Sequence, residues 1–144
     1  MKLKRILVPV DFSKFSDAAL PFATSLARDS GAELIILHVQ EPAAAYTSGE
    51  WYYGPIVADP EMLRATLEKI RPMDPSLPCI HQMALGNPAA QIVSTAQNEK
   101  VDMIVMTTHG RTGVSRAIMG SVAEKVVRNA NCPVVVVKDF PKKK

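Results

Sequence analysis

Five short runs of β-branched and aliphatic residues alternate with segments whose apolar residues recur at helical spacing, and that alternation constrains the chain more than any other feature. The runs are residues 4–10 (KRILVPV), 33–39 (ELIILHV), 79–85 (CIHQMAL), 102–106 (DMIVM) and 133–138 (PVVVVK). The second is almost continuously apolar, the pattern of a strand covered on both faces. Strands that alternate with helices are joined by right-handed crossovers, which makes the sheet parallel and puts helices on both sides of it. The expected architecture is a doubly wound, Rossmann-like α/β fold with five parallel strands in the order 3-2-1-4-5, formed by residues 1–144 as a single domain.

The intervening segments carry helix signals. A first helix opens at Ser13 or Ser16, which offer serine caps, places Ala18, Ala19, Phe22, Ala23, Leu26 and Ala27 at helical spacing, and ends at Asp29 before Gly31. Pro60 begins a second, short helix over 60–70, with Met62, Leu63, Leu67 and Ile70 on one stripe. Gly86, Asn87 and Pro88 form a turn, a cap and a first helical position for a third helix through about Glu99. A fourth is predicted over 120–129. Residues 40–60 break the pattern with Pro42, Gly49, Gly54, Pro55 and Pro60 around Trp51, Tyr52 and Tyr53, and read as a long loop with its own turn of structure.

Composition narrows the class. Hydrophobic residues make up 47% and charged ones 22%, ordinary globular usage, so neither disorder nor a fibrous repeat is indicated. The net charge of +3 equals the contribution of Lys142, Lys143 and Lys144 at the terminus, and no aromatic-rich stripe accompanies that tail, so nucleic acid is not an expected partner. The apolar runs fall far short of the ~20 residues of a membrane span, and residues 1–12 lack a signal-peptide core, so the expected location is the cytoplasm. Cys79 and Cys132 each adjoin a proline, without CxxC spacing, and are read as small buried or half-buried residues.

The functional signal lies at 107–121, TTHGRTGVSRAIMGS, where an apolar strand gives way to a glycine-hinged loop that ends on a helix start. Gly110 and Gly113 tolerate positive φ and let backbone N–H groups approach a ligand closely. Gly120 and Ser121 open a helix whose unpaired amides favour an anion. In a doubly wound sheet the ligand sits beyond the carboxyl ends of the strands where the winding reverses, here between the first and fourth strands. Asp11, at the end of the first, is placed to accept hydrogen bonds from ribose hydroxyls or a base amino group, or else caps the first helix. Pro9 and Val10 would form one wall of a base pocket and Val39 the other, with backbone groups for the base edge, or all three are ordinary core residues. Ser121 also begins a Ser-Val-Ala-Glu capping box with Glu124, which needs no ligand. Arg111 and Arg116 flank the loop and would neutralise phosphate charge. His109 adjoins Gly110 without a nucleophile and orienting partner beside it; His38 and His81 lie in strands and are read as packed or hydrogen-bonded. Neither GxxxxGK[ST] nor a GxGxxG after the first strand is present, which argues against a P-loop NTPase and a dinucleotide fold.

Together KRILVPVDFSKFSDAAL, GNPAAQIV and THGRTGVSRAIMGSVAEKVVRNANCPVVVVK make the chain resemble the universal stress protein family over essentially its full length. Its ATP-binding members carry glycine, two residues, glycine, nine residues, then glycine with serine or threonine. Here Gly110, residues 111–119 and Gly120-Ser121 match, while Thr107 stands in the first glycine's place. The resemblance implies an adenine nucleotide alpha hydrolase-like fold and ATP, with Mg2+, as ligand. It implies that Asp11 sits by the adenosine, Val39 by the adenine, and Gly110, Gly120, Ser121 and Val122 around the ribose and phosphates. It also implies a homodimer through strand 133–138, whose hydrophobic edge a monomer would leave open. The expected activity is nucleotide-dependent binding or regulation and not catalysis. The alternatives are a family member working through dimerisation and protein contacts alone, which Thr107 favours, or slow ATP hydrolysis using His109 or a water held by Asp11 and Mg2+.

Overall fold

The computed structural model describes residues 2–13, 18–41, 46–47, 50–51, 59–108 and 119–138. Along the chain run β1 (Arg5–Pro9), α1 (Ala19–Ser30), β2 (Glu33–Gln40), the two-residue strands β3 (Tyr46–Thr47) and β4 (Glu50–Trp51), α2 (Pro60–Glu68), β5 (Cys79–Leu85), α3 (Pro88–Asn98), β6 (Met103–Thr107), α4 (Ser121–Asn129) and β7 (Val134–Val137). The main sheet has the order β5-β2-β1-β6-β7, all parallel, which is the expected 3-2-1-4-5 once β3 and β4 take their own numbers. Those two strands pair antiparallel with each other within the expected loop over 40–60.

Strand alternation sorts the core into two layers. Ile6, Val8, Leu34, Ile36 and Val105 face α1 and α2, against Ala19, Ala23, Ala27 and Leu67. Leu7, Ile35, Leu37, Ile104 and Met106 face α3 and α4, against Ala89, Ile92, Ala96, Ala123 and Val126. The alanines of α1, spaced by four, form a flat stripe that lets its backbone lie close to the sheet.

Local chemistry sets most helix ends. Gly31 adopts a left-handed φ of 76° and returns its N–H to the Ala27 carbonyl, ending α1 as expected. Asn87 accepts the Ala90 N–H at 3.1 Å with Pro88 at the first position of α3, also as expected. Asp59 caps α2 by accepting the Glu61 N–H at 3.0 Å. The described part of α1 starts at Ala19 after Ala18, and the Ser13 N–H and hydroxyl both donate to Asp11, while Ser16 lies outside the described residues. One expected cap does not form. At α4 the cap position is Gly120, and the Glu124 N–H donates to the Gly120 carbonyl at 3.0 Å. With Ser121 one residue too far along to cap, Glu124 pairs with Arg128 at 2.9 Å, so the capping box is absent.

The amino ends of the central strands are tied by Asp102, whose Oδ2 accepts the Lys4 and Arg5 N–H groups at 2.8 and 3.0 Å. Those two backbone hydrogen bonds hold its carboxyl below the usual carboxylate range. A carboxyl depressed in the folded state stabilises the fold above its unfolded pKa, and the effect disappears as pH falls through the folded pKa. Asp102→Ala should therefore cost about 1–2 kcal/mol at pH 7, the modest end for hydrogen bonds to an exposed charge. Denaturant titrations should show that difference shrinking toward zero as pH falls through and below the folded pKa.

Candidate functional site

The hydrogen-bonded ladder between β1 and β6 stops before either strand finishes. Their pairing covers only Ile6↔Met103 and Leu7↔Ile104, although β1 continues to Pro9 and β6 to Thr107. Backbone parity supplies the reason. The Arg5 carbonyl accepts from Asp102 N–H, so residues 5, 7 and 9 turn their polar groups toward β6, whereas the Lys4 carbonyl and the Val10 N–H bond with β2. Pro9 thus falls at the position whose N–H would extend the ladder to β6, and it has none to give. A proline at the switch point of the sheet ends the ladder there.

On the other side β2 outruns β1. The last bond between them joins the Val10 N–H to the Leu37 carbonyl at 2.8 Å, while β2 stays paired with β5 through Gln40↔Leu85. Val39, two residues past Leu37, turns its N–H and C=O the same way as Leu37, toward β1 and beyond its last rung. Its half-buried side chain joins the α3 and α4 layer. The Val39 backbone, the expected base edge, is therefore directed past the end of β1. Val10 does not offer the same: it is buried, and its carbonyl already lies 2.9 Å from Nδ1 of His38. A carbonyl only accepts, so that nitrogen carries the hydrogen.

Beyond Val10 the chain makes a tight turn. Asp11 Oδ1 accepts both the N–H and the hydroxyl of Ser13, at 2.9 and 2.5 Å, which shapes an Asx turn. Phe12 between them has φ 67°, a left-handed conformation costing a bulky residue about 1–3 kcal/mol. Its ring stacks on His38, centroids 4.0 Å apart at 23°. Such a contact contributes about 0.5–1.5 kcal/mol, comparable with the conformational cost. His38 itself is only 2% exposed, matching its reading as a packed, hydrogen-bonded histidine; His81 lies 2.7 Å from the Ile70 carbonyl and matches likewise.

The third wall is the entry to α4. Thr107 ends β6, pairs with Val137 and is 8% exposed. It shares a sheet face with Met103 and Val105, which look toward α1, so its side chain is directed away from the α4 side. Thr108 donates its N–H to the Val137 carbonyl, and its own carbonyl accepts the Gly120 N–H at 2.7 Å. That bond fastens the start of α4 to the tip of β6. The first-turn amides of Ser121, Val122 and Ala123 have no partner within the helix. Ser121 is exposed and Val122 half-buried.

Of the predicted site residues, the structure thus brings Pro9, Val10, Asp11, Val39, Thr107, Gly120, Ser121 and Val122 to the carboxyl end of the sheet at the reversal of strand order. His109, Gly110 and Arg111, with Gly113 and Arg116, lie outside the described residues. Sequence reasoning missed two contributors. Phe12 gave no signal, since an aromatic residue does not advertise positive φ; Thr108 acts through its carbonyl, which any residue has. The Asp-x-Ser spacing of residues 11–13 was a readable sign of the turn.

The universal stress protein family model matches residues 2–138. The chain is 38% identical to universal stress protein MJ0531 of Methanocaldococcus jannaschii, over 97% of this chain and 84% of that protein. Its fold is similar to the solved structure of MJ0577 from the same organism, with a TM-score of 0.78 at 26% identity, covering 99% of this chain and 100% of that one. The fold is also shared with the universal stress protein from Archaeoglobus fulgidus in complex with dAMP, with a TM-score of 0.65 at 24% identity over 96% and 100% of the two chains. Full-length agreement with the family model, this relative and this sheet order leads to one conclusion: the chain belongs to the universal stress protein family.

Proposed function

We propose that the chain binds ATP in the crevice between β1 and β6 and works as a nucleotide-dependent binding or regulatory module in the stress response, not as an enzyme. The observation that carries this reading is the end of the β1–β6 ladder after Leu7 and Ile104, with the Val39 backbone on one side and the α4 entrance on the other. A base would rest along β2 and exchange hydrogen bonds with Val39, and the ribose would meet Asp11. The phosphates would lie against the amides of Ser121 and Val122, where a helix start favours anions. The dAMP complex of the Archaeoglobus fulgidus protein supports an adenine nucleotide as ligand class. No group of three or more His, Cys, Asp or Glu able to hold a metal occurs among the described residues. Mg2+ would therefore arrive on the phosphates, as that ion commonly does.

The same reading assigns a cytoplasmic homodimer. β7 is an edge strand whose four valines are all partly exposed, which suits pairing with a second copy. No described helix is long and apolar enough to cross a membrane. The alternative in which Thr107 abolishes binding draws less support from a side chain directed toward α1.

The test is mass spectrometry of natively purified protein for carried ATP or ADP, followed by calorimetry with ATP and Mg2+. Gly110→Val is expected to weaken ATP binding about tenfold or more with the melting temperature unchanged, because a Cβ at a backbone-approach position holds the phosphates off. Unchanged affinity would remove Gly110 from the site. Wild-type protein that neither carries nor takes up adenine nucleotide would overturn the proposal.

A further inference from the structure

We infer that His38 is a positioning residue for the nucleotide crevice, holding the turn that presents Asp11 at a fixed distance from the Val39 backbone. This rests on the nucleotide reading above. His38 adjoins Val39 on β2, so one residue's backbone lines one wall while the next residue's side chain reaches the opposite one. Its Nδ1 lies 2.9 Å from the Val10 carbonyl, and its ring lies 4.0 Å from that of Phe12. The two contacts bracket Asp11. They seize the residue before it by the backbone and the residue after it by the ring, while Ser13 ties the carboxylate from the far side.

The left-handed φ of Phe12 makes this more than ordinary packing. A phenylalanine held at positive φ persists only where its surroundings impose it, and such positions gather at binding sites. With φ in the usual negative range the turn would leave the Asx geometry, and the Asp11 carboxylate would swing away from the end of β1. The stack on buried His38 opposes this relaxation, beside the packing of Phe12 against the α1-side core. Because β2 is paired with β1 up to Leu37 and with β5 through His38 and beyond, His38 is a rigid post, and the crevice width is referred to the sheet.

Three variants separate the contacts. His38→Phe keeps a ring of similar size and removes the donor; His38→Asn keeps a donor near the Nδ1 position and removes the stack. Phe12→Ala removes the stack, together with Phe12's own packing on the α1-side core, at a half-buried position, and so serves if a change at buried His38 prevents folding. Hydrogen exchange of the Ser13 amide, which donates to Asp11, is expected to accelerate about tenfold in unliganded His38→Phe and Phe12→Ala, with the β1 and β2 amides unchanged. ATP affinity by calorimetry should fall about tenfold in the same variants and recover in part in His38→Asn.

Exchange and affinity both at wild-type levels in His38→Phe and Phe12→Ala would overturn the inference. Faster exchange with unchanged affinity would do so too, since the turn would then be structural only. A wild-type protein that binds no ATP would overturn the nucleotide reading and the positioning role together, which distinguishes that failure from failure of His38 alone.

Discussion

Val39→Pro should weaken ATP binding by about 100-fold and leave thermal stability nearly unchanged, whereas Gln40→Pro, one residue on, should do the reverse. Proline in a central strand ordinarily deletes a ladder hydrogen bond. In β2, however, odd residues face β1 and even residues face β5, as the Val10–Leu37 and Gly86–Gln40 bonds show. The Val39 N–H lies past the last rung with β1, so its removal takes nothing from the sheet. The proposed base would lose its donor and keep an unpaired acceptor in a half-buried site, a loss of about 1–3 kcal/mol. Steric exclusion by the proline ring brings the total near 2.7 kcal/mol, the equivalent of about 100-fold. Gln40 sits inside the ladder with β5, and proline there breaks it. Calorimetry beside thermal melting reads both effects. Val39→Pro protein that binds ATP like the wild type would move the base off β2.

The second large effect concerns stability, and it depends on two isoleucines in neighbouring strands. Ile36→Ala should destabilise the protein by about 4 kcal/mol, within the range for a fully enclosed aliphatic side chain and a large part of the roughly 5–15 kcal/mol available. The same change at Ile80 should cost less than about 1 kcal/mol, because an exposed side chain leaves little cavity behind. Ile36 is 0% exposed in the inner strand β2, under α1, with Val8 and His81 as its register partners. Ile80 is 39% exposed on β5, the outer strand. Denaturant midpoints at constant slope give both numbers. Equal losses would mean that β5 is covered in solution by something beyond the described chain.

Sequence signals succeeded where the deciding interaction was local. Asn87 and Pro88 announce a helix start because the capping atoms lie within three residues of each other, and Gly31 announces a stop because only glycine takes a left-handed φ cheaply. The universal stress protein resemblance and the strand order carried to the structure for a related reason: apolar runs of this length and spacing leave few ways to wind a parallel sheet. A failure came where two local options competed. Ser121 and Glu124 have capping-box spacing, yet Gly120 takes the cap position, with its N–H held by the Thr108 carbonyl. The capping-box spacing does not reveal where that distant partner lies.

What the amino-acid order settles alone is the alternation of strand and helix, the places where Gly31, Asn87 and Pro88 punctuate it, and the gathering of candidate ligand residues at the strand ends. Those are properties of short stretches of chain, governed by side-chain period and backbone freedom. Only the tertiary structure decides that Pro9 faces β6 and not β2, that Val39 outreaches β1, and that His38 takes hold of the Val10 carbonyl and the Phe12 ring. Those are matters of register and parity between strands distant in sequence, where a shift of one residue exchanges the groups turned toward the crevice for those turned away.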